Sequence, residues 1–259
     1  MPGPRLRSVP RHASLLALVA AALAAGCGGD GADPQAPAAP RVYAAASLRE
    51  AFPEIDRGQT YNFAGSNQLQ AQIERGAPAD VFASASPTEA QALFRAGRCT
   101  RPVTFATNIL VMLVPARNPA GLRSIYSLRR GPQRRLAIGT ATVPVGAYTR
   151  KLLARMRLTT ILDRHIVSNE PNVTGITSKV ALGSADAGFA YATDARAAGS
   201  RVSVIRLPAS AQPPIRYQLC AVRREGDDTR AAQAFIDKVG SAAGRRVLKH
   251  WGFGPPVRG

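Results

Sequence analysis

Cysteine and histidine are scarce: the 259-residue chain holds three of each. They form no cluster with ligand spacing, which argues against a zinc site. Acidic residues are few as well, 16 against 34 Lys and Arg, for a formal net charge of +18. Asp80 is the acid most easily taken for a catalytic group. No partner acid, histidine or cysteine lies near it in sequence, so a structural role in a turn is expected. Aromatic residues make up only 6% of the chain, and the arginines are scattered rather than clustered with them. That excludes the usual nucleic-acid surface. The positive balance implies instead a solvated surface that favours anions or an anionic membrane face, and a field that steers an anionic ligand. Beyond the first 26 residues no apolar run is long enough to span a membrane.

What is present begins with a leader. Arg5, Arg7 and Arg11 form a basic segment, and Leu15 to Ala25 is an uncharged apolar run too short for a typical span. Residues 1–26 therefore read as a signal peptide, and the protein is exported. Leu23-Ala24-Ala25-Gly26-Cys27 resembles the lipobox of bacterial lipoproteins, with Ala24 where leucine is usual. The resemblance implies lipidation of Cys27 and an anchor on the outer face of the membrane; a plain secretory leader would release the protein. Without the leader the net charge falls to +15. Residues 27–40, rich in Gly, Ala, Pro and Asp, read as a flexible tether. Cys99 and Cys220 remain, and in an oxidising compartment they could pair or stay free.

The chain proper opens with Val42 to Ala46, a short apolar run that suits a buried strand. Ser47 follows, where strand hands over to helix. There it can be a plain N-cap, or the seat of an anion held by first-turn N–H groups. Pro53 keeps the next helix short. Thr60 to Ala64 alternates like a strand, Gly65-Ser66-Asn67 forms a second small polar turn, and Leu69 to Arg75 reads as a helix. Ser66 is thus placed much as Ser47 is. Two such serine-headed helices can converge at the carboxyl edge of a sheet, the usual binding edge of open α/β folds. Gly76 to Ala85 reads as a turn and a third buried strand.

Further along, Asn108 to Pro115 is a β-rich apolar run and Ser127 to Arg130 reads as a helical turn. Leu136 to Gly139 reads as a strand, Thr140 to Gly146 as a loop, and Ala147 to Met156 as a helix. Asn172-Val173-Thr174-Gly175 precedes a helix over Ile176 to Leu182. Asp186 to Tyr191 reads as a strand ending in Tyr191, whose ring would in isolation be read as packed core. Tyr217 to Val222 is strand-like, and Thr229 to Leu248 is helical with an interruption near Gly240.

Several of these segments together resemble one family. Ala44-Ala45-Ala46-Ser47-Leu48, Phe63-Ala64-Gly65-Ser66 and Gly76-Ala77-Pro78-Ala79-Asp80-Val81-Phe82 are similar to the periplasmic molybdate-binding proteins of bacterial ABC importers. Asn108 to Pro115, Pro144-Val145-Gly146, Asn172-Val173 and Tyr191 continue the likeness, which runs from Val42 to Phe253. It implies an α/β architecture, the type II periplasmic binding protein fold, with two lobes joined by a two-strand hinge. Residues 41–107 and 216–259 would form lobe I and residues 108–215 lobe II. The resemblance also implies a ligand, molybdate or tungstate, and a partner, the membrane permease of an ABC importer. The ligand would be held by Ser47, Ser66 and Tyr191 through hydroxyls and by Ser47, Ser66, Val145 and Val173 through backbone N–H groups. No cofactor, no metal beyond the oxyanion and no nucleic acid enter this reading, and a monomer is expected. Two other readings stand beside it. The same fold could take sulfate, phosphate or a small organic anion. An exported hydrolase could use Ser47 or Ser66 with His165 or His250 as base, although neither serine sits in a Gly-x-Ser-x-Gly elbow.

Overall fold

The computed structural model describes residues 39–129, 131–224 and 229–257, which all belong to one compact unit. The expected leader, Cys27, all but the end of the tether, and Arg130 of the expected turn lie outside the described residues. The first half runs β1 (Arg41–Ala45), α1 (Ala51–Ile55), β2 (Thr60–Ala64), α2 (Ser66–Glu74), β3 (Val81–Ser84), α3 (Pro87–Arg95) and β4 (Val103–Asn108). After Ile109 the chain continues as β5 (Leu110–Pro115), β6 (Leu136–Gly139), α4 (Pro144–Arg155), α5 (Thr160–His165) and β7 (Ile166–Glu170). Then follow α6 (Val173–Ala181), β8 (Ala187–Tyr191), α7 (Ala192–Ala198), β9 (Val202–Arg206), β10 (Ile215–Ala221), α8 (Arg230–Gly240) and α9 (Ala242–His250).

The strands form two five-stranded mixed sheets, ordered β2-β1-β3-β10-β4 and β7-β6-β8-β5-β9. In the first, β1 runs parallel to β2 and β3, and β10 runs antiparallel to β3 and β4. The second repeats the plan: β6 is parallel to β7 and β8, and β5 is antiparallel to β8 and β9. The chain leaves the first sheet at Ile109, between β4 and β5, and returns between β9 and β10. These two crossings make the α/β type II arrangement of two lobes on a two-strand hinge. Strands β3, β5, β6 and β8 are buried along their whole length. That burial on both faces explains why they read as unbroken apolar runs rather than alternating ones.

Several local readings change. The run Asn108 to Pro115 is two strands, split at half-exposed Ile109, because each part joins a different sheet. Neither Ser47 nor Ser66 is an N-cap. Ala45 and Gly65 hold those positions, neither with a side-chain cap bond. Ser47 lies inside a three-residue 3-10 turn, Ala46–Leu48, so the regular helix expected there begins only at Ala51. Pro53 falls in the first turn of α1, where its missing N–H has no intrahelical acceptor to lose. Helix α4 begins at Pro144, not after Gly146, so Val145 lies in its first turn. Gly146 permits this start: a Cβ there would meet the Thr140 carbonyl at 2.0 Å. Asp80 has the structural role expected of it, accepting from the Arg41 N–H at 2.7 Å and from Arg224 at 2.6 Å. Helices α8 and α9 break at Ser241, which caps α9 by accepting from Gly244.

Candidate functional site

One small cavity collects the carboxyl ends of strands from both sheets. From the first sheet come Ala45 to Ser47 after β1, Ala64 to Ser66 after β2, and Ala85 after β3. From the second come Val143 to Val145 at the head of α4, Asn172 and Val173 at the head of α6, and Tyr191 at the end of β8. All five residues proposed from the sequence, Ser47, Ser66, Val145, Val173 and Tyr191, thus line the same space. No lysine, arginine, aspartate or glutamate is among the lining residues.

The donors arise from how helices begin. The first N–H groups of a helix have no intrahelical acceptor, and three helices of nine or more residues start at this wall. The i→i−4 ladder begins with Leu69 on Gly65 in α2 and with Ala147 on Val143 in α4. The N–H groups of Ser66 and Val145 precede those bonds. Pro144 at the first position of α4 has no N–H to leave unpaired. In α6 the Asn172 side chain caps by accepting from Gly175 at 3.2 Å, so the Val173 N–H lies ahead of the capped group. Apolar valines therefore stand where backbone groups, not side chains, supply polarity.

The hydroxyls differ in their partners. Ser66 Oγ accepts from the Ala85 N–H at 3.0 Å, which ties α2 to the end of β3. Ser47 Oγ lies 2.8 Å from the hydroxyl of Tyr217 on β10. The Tyr191 hydroxyl is buried without a hydrogen-bond partner among the described residues. Burial pushes its phenol well above the ordinary value, and the neighbouring Tyr217 adds to the effect, so it stays a protonated donor. Behind it, Asp194 Oδ2 accepts from the Tyr191 N–H at 3.1 Å. Burial raises the Asp194 carboxyl to about 7 against the pull of that bond.

The two halves approach closely around the cavity. A Cβ on Gly65 would lie 2.4 Å from the Pro171 carbonyl of the opposite half. Asn67 donates to Thr142 Oγ1 across the same boundary at 3.2 Å. Sequence reasoning missed Tyr217, Asn108 and the Gly65–Pro171 approach. The first two lie in apolar strand runs, and Pro171 only precedes a cap, so none gave a local signal.

The hydrolase reading finds no support in geometry. Neither His165 nor His250 lines the cavity. His165 is fully buried, its Nδ1 accepting from the Arg134 N–H and its Nε2 donating to the Leu128 carbonyl. The His250 ring packs edge-on against Trp251. Cys99 and Cys220 are buried free thiols in one apolar cluster. The hydrogen bond that its thiol makes to Cys99, then burial, raises Cys220 far above its usual range. Among the described residues no group of three or more His, Cys, Asp or Glu could hold a metal ion, and no helix is long and apolar enough to cross a membrane.

Comparison with known proteins adds the following. The model of the family described as bacterial extracellular solute-binding protein matches residues 40–254. The molybdate-binding protein ModA of Mycobacterium tuberculosis (strain H37Rv) is 36% identical over 225 residues, covering 83% of this chain and 84% of the relative. ModA of Haemophilus influenzae is 28% identical, over 82% of this chain and 88% of the relative. The substrate-binding domain of a putative molybdenum ABC transporter from Clostridium difficile superposes with a TM-score of 0.63 at 26% identity, over 84% of this chain and 98% of that one. The periplasmic molybdate-binding protein of Azotobacter vinelandii superposes with a TM-score of 0.72 at 24% identity, over 84% and 99%, and so speaks to the fold alone. With the matched model spanning nearly all of the described residues, the chain belongs to the family of bacterial extracellular solute-binding proteins.

Proposed function

We propose that this protein captures molybdate, and equally tungstate, between its two halves and delivers it to the membrane permease of an ABC importer. The observation that carries the reading is the cavity itself. Among the described residues it is free of charged side chains, ringed by helix N-termini, and faced by a buried tyrosine hydroxyl with no partner. Such a lining leaves donors to be satisfied and supplies no counter-charge. A dianion accepting from it would make charge-assisted bonds, each worth about 1.5–3 kcal/mol net. Donors fixed on both halves also measure the ligand. A smaller tetrahedral anion such as sulfate cannot reach all of them, and the unmet ones oppose its binding. Molybdate and tungstate are close enough in size to be held alike. The names of the relatives support the same cargo.

The setting follows from the N-terminal sequence: export, cleavage before Cys27, lipidation there, and a tether that holds a monomer near its permease at the membrane face. In that oxidising compartment Cys99 and Cys220 are the pair to join, giving two protons and two electrons to a disulfide-bearing oxidant. Thermal unfolding of the leaderless, ligand-stripped protein tests the cargo. A ligand that binds only the folded state adds about 2.7 kcal/mol at a hundred times its dissociation constant. A large rise with molybdate and tungstate, and none with sulfate or phosphate, is expected. An equal rise with sulfate would overturn the choice of cargo while leaving the fold and the transport role.

A further inference from the structure

Tyr217 was no part of the expected site, yet it is wholly buried and its hydroxyl meets Ser47 Oγ at 2.8 Å. The distance alone does not say which oxygen donates. The surrounding network does. Asn108, at the end of β4, accepts the Ile109 N–H on its Oδ1 at 2.9 Å. This fixes which way the amide faces. Its Nδ2 then donates to Thr193 Oγ1 at 3.0 Å and to the Tyr217 hydroxyl at 3.4 Å. An amide nitrogen can only donate, so Tyr217 accepts there and has one proton left to give. Ser47 Oγ is the partner in reach.

We infer that Tyr217, set by Asn108, is a positioning residue: it donates to Ser47 Oγ, so that the serine's own proton is left to point at the bound anion. Without that bond the Ser47 hydroxyl could donate to a protein acceptor or rotate freely, and it would lose its fixed direction. The arrangement also has a structural consequence. Asn108 lies beside the outgoing crossing of the chain and Tyr217 on the returning strand, so residues of both hinge strands orient a ligand donor of the first half. The same Tyr217 ring packs edge-on against Tyr191, with centroids 5.9 Å apart, and so touches the donor of the second half.

The inference rests on the anion-pocket reading, and a double-mutant cycle separates the two. Molybdate affinity is measured by calorimetry for the wild type, Ser47→Ala, Tyr217→Phe and the double variant, with ligand-free thermal midpoints beside it. Losing the orientation of one hydrogen bond is expected to weaken binding about three- to tenfold in Tyr217→Phe. In the Ser47→Ala background the same change is expected to cost less than about twofold, because Tyr217 then has no hydroxyl to orient. Asn108→Ala, which leaves Tyr217 in place but removes the donor that makes its oxygen accept, lets the Tyr217 hydroxyl turn and should fall between wild type and Tyr217→Phe. Equal losses from Tyr217→Phe in both backgrounds would overturn the positioning role and make Tyr217 a hinge-packing residue. A wild type that does not bind molybdate, or a Ser47→Ala variant that binds as well as wild type, would overturn the pocket reading and the inference together.

Discussion

The two halves of the cavity are built on the same strand plan but treat their polar groups differently. In the first half the hydroxyls are already engaged: Ser66 Oγ takes the Ala85 N–H, and Ser47 Oγ is joined to Tyr217. Even the buried acid of that half, Glu89, accepts from the hydroxyls of Ser84 and Ser86. In the second half the buried Tyr191 hydroxyl has no partner among the described residues, and Asp194 is buried with backbone N–H groups as its donors. The first half is preorganised and its hydrogen bonds support the fold. The second keeps one unpartnered buried hydroxyl, that of Tyr191, which a ligand can satisfy and which lowers its stability when empty.

The strongest way to break this comparison is to stop the halves from meeting. In Gly65→Ala the new Cβ would press on the Pro171 carbonyl at 2.4 Å. Backbone cannot yield as a side-chain tip can, so the strain falls on the approach of the two halves. Overpacking of this kind costs about 1–3 kcal/mol, and molybdate affinity is expected to fall roughly ten- to hundredfold by calorimetry. The ligand-free thermal midpoint is expected to change less than the affinity, because the proposed ligand needs donors of both halves at the cavity while the core of each half does not. Unchanged affinity would mean that binding does not require this approach.

A smaller effect sharpens the contrast, because it has opposite signs in the two halves. Tyr191→Phe removes the donor proposed for the ligand and, from the empty protein, a buried hydroxyl without a partner among the described residues. Binding is expected to weaken about tenfold while ligand-free stability rises by about 1 kcal/mol. Ser66→Ala removes a donor and also strands the buried Ala85 N–H, so binding and stability should both fall, the latter by about 1–3 kcal/mol. Chemical denaturation with and without molybdate reads both quantities. If Tyr191→Phe destabilises the empty protein, its hydroxyl has a partner after all and the comparison fails.

How much of this was legible in the sequence follows the same division. Small-residue turns after apolar runs marked the strand ends, so Ser47 and Ser66 could be named from the residues, while Val145, Val173 and Tyr191 came largely through resemblance. The Pro144 signal for a helix start at that residue was present and was read as loop. Strand β7, with its alternating half-exposed residues, and β9, at a sheet edge, carried no strong apolar run and were not read at all. What no local pattern could show is partnership between distant residues. Ser47 meets Tyr217 across 170 positions, and the same code, serine after a strand, would have served a cap equally well. That the Tyr191 hydroxyl lacks a partner among the described residues is likewise a property of everything packed around it, not of the residue.

The smallest effect on affinity, and the finest test of the comparison, is expected from the buried acids. Burial holds the Asp194 carboxyl near 7, above its ordinary value of 3.8. An acid raised on folding favours the native state most where it is protonated. Its contribution is complete below the unfolded value and is lost as pH rises through about 7. Asp194→Asn keeps an oxygen to accept the Tyr191 N–H but cannot ionise, so it should flatten the decline in thermal midpoint between about pH 4 and about pH 7. Glu89 is also raised by burial, but the hydroxyls of Ser86 and Ser84 oppose the shift. Glu89→Gln should therefore flatten the same profile less. An equal or larger change from Glu89→Gln would show that the first half is no better satisfied than the second, because a carboxylate with hydroxyl donors should pay less to remain charged than one with backbone donors alone.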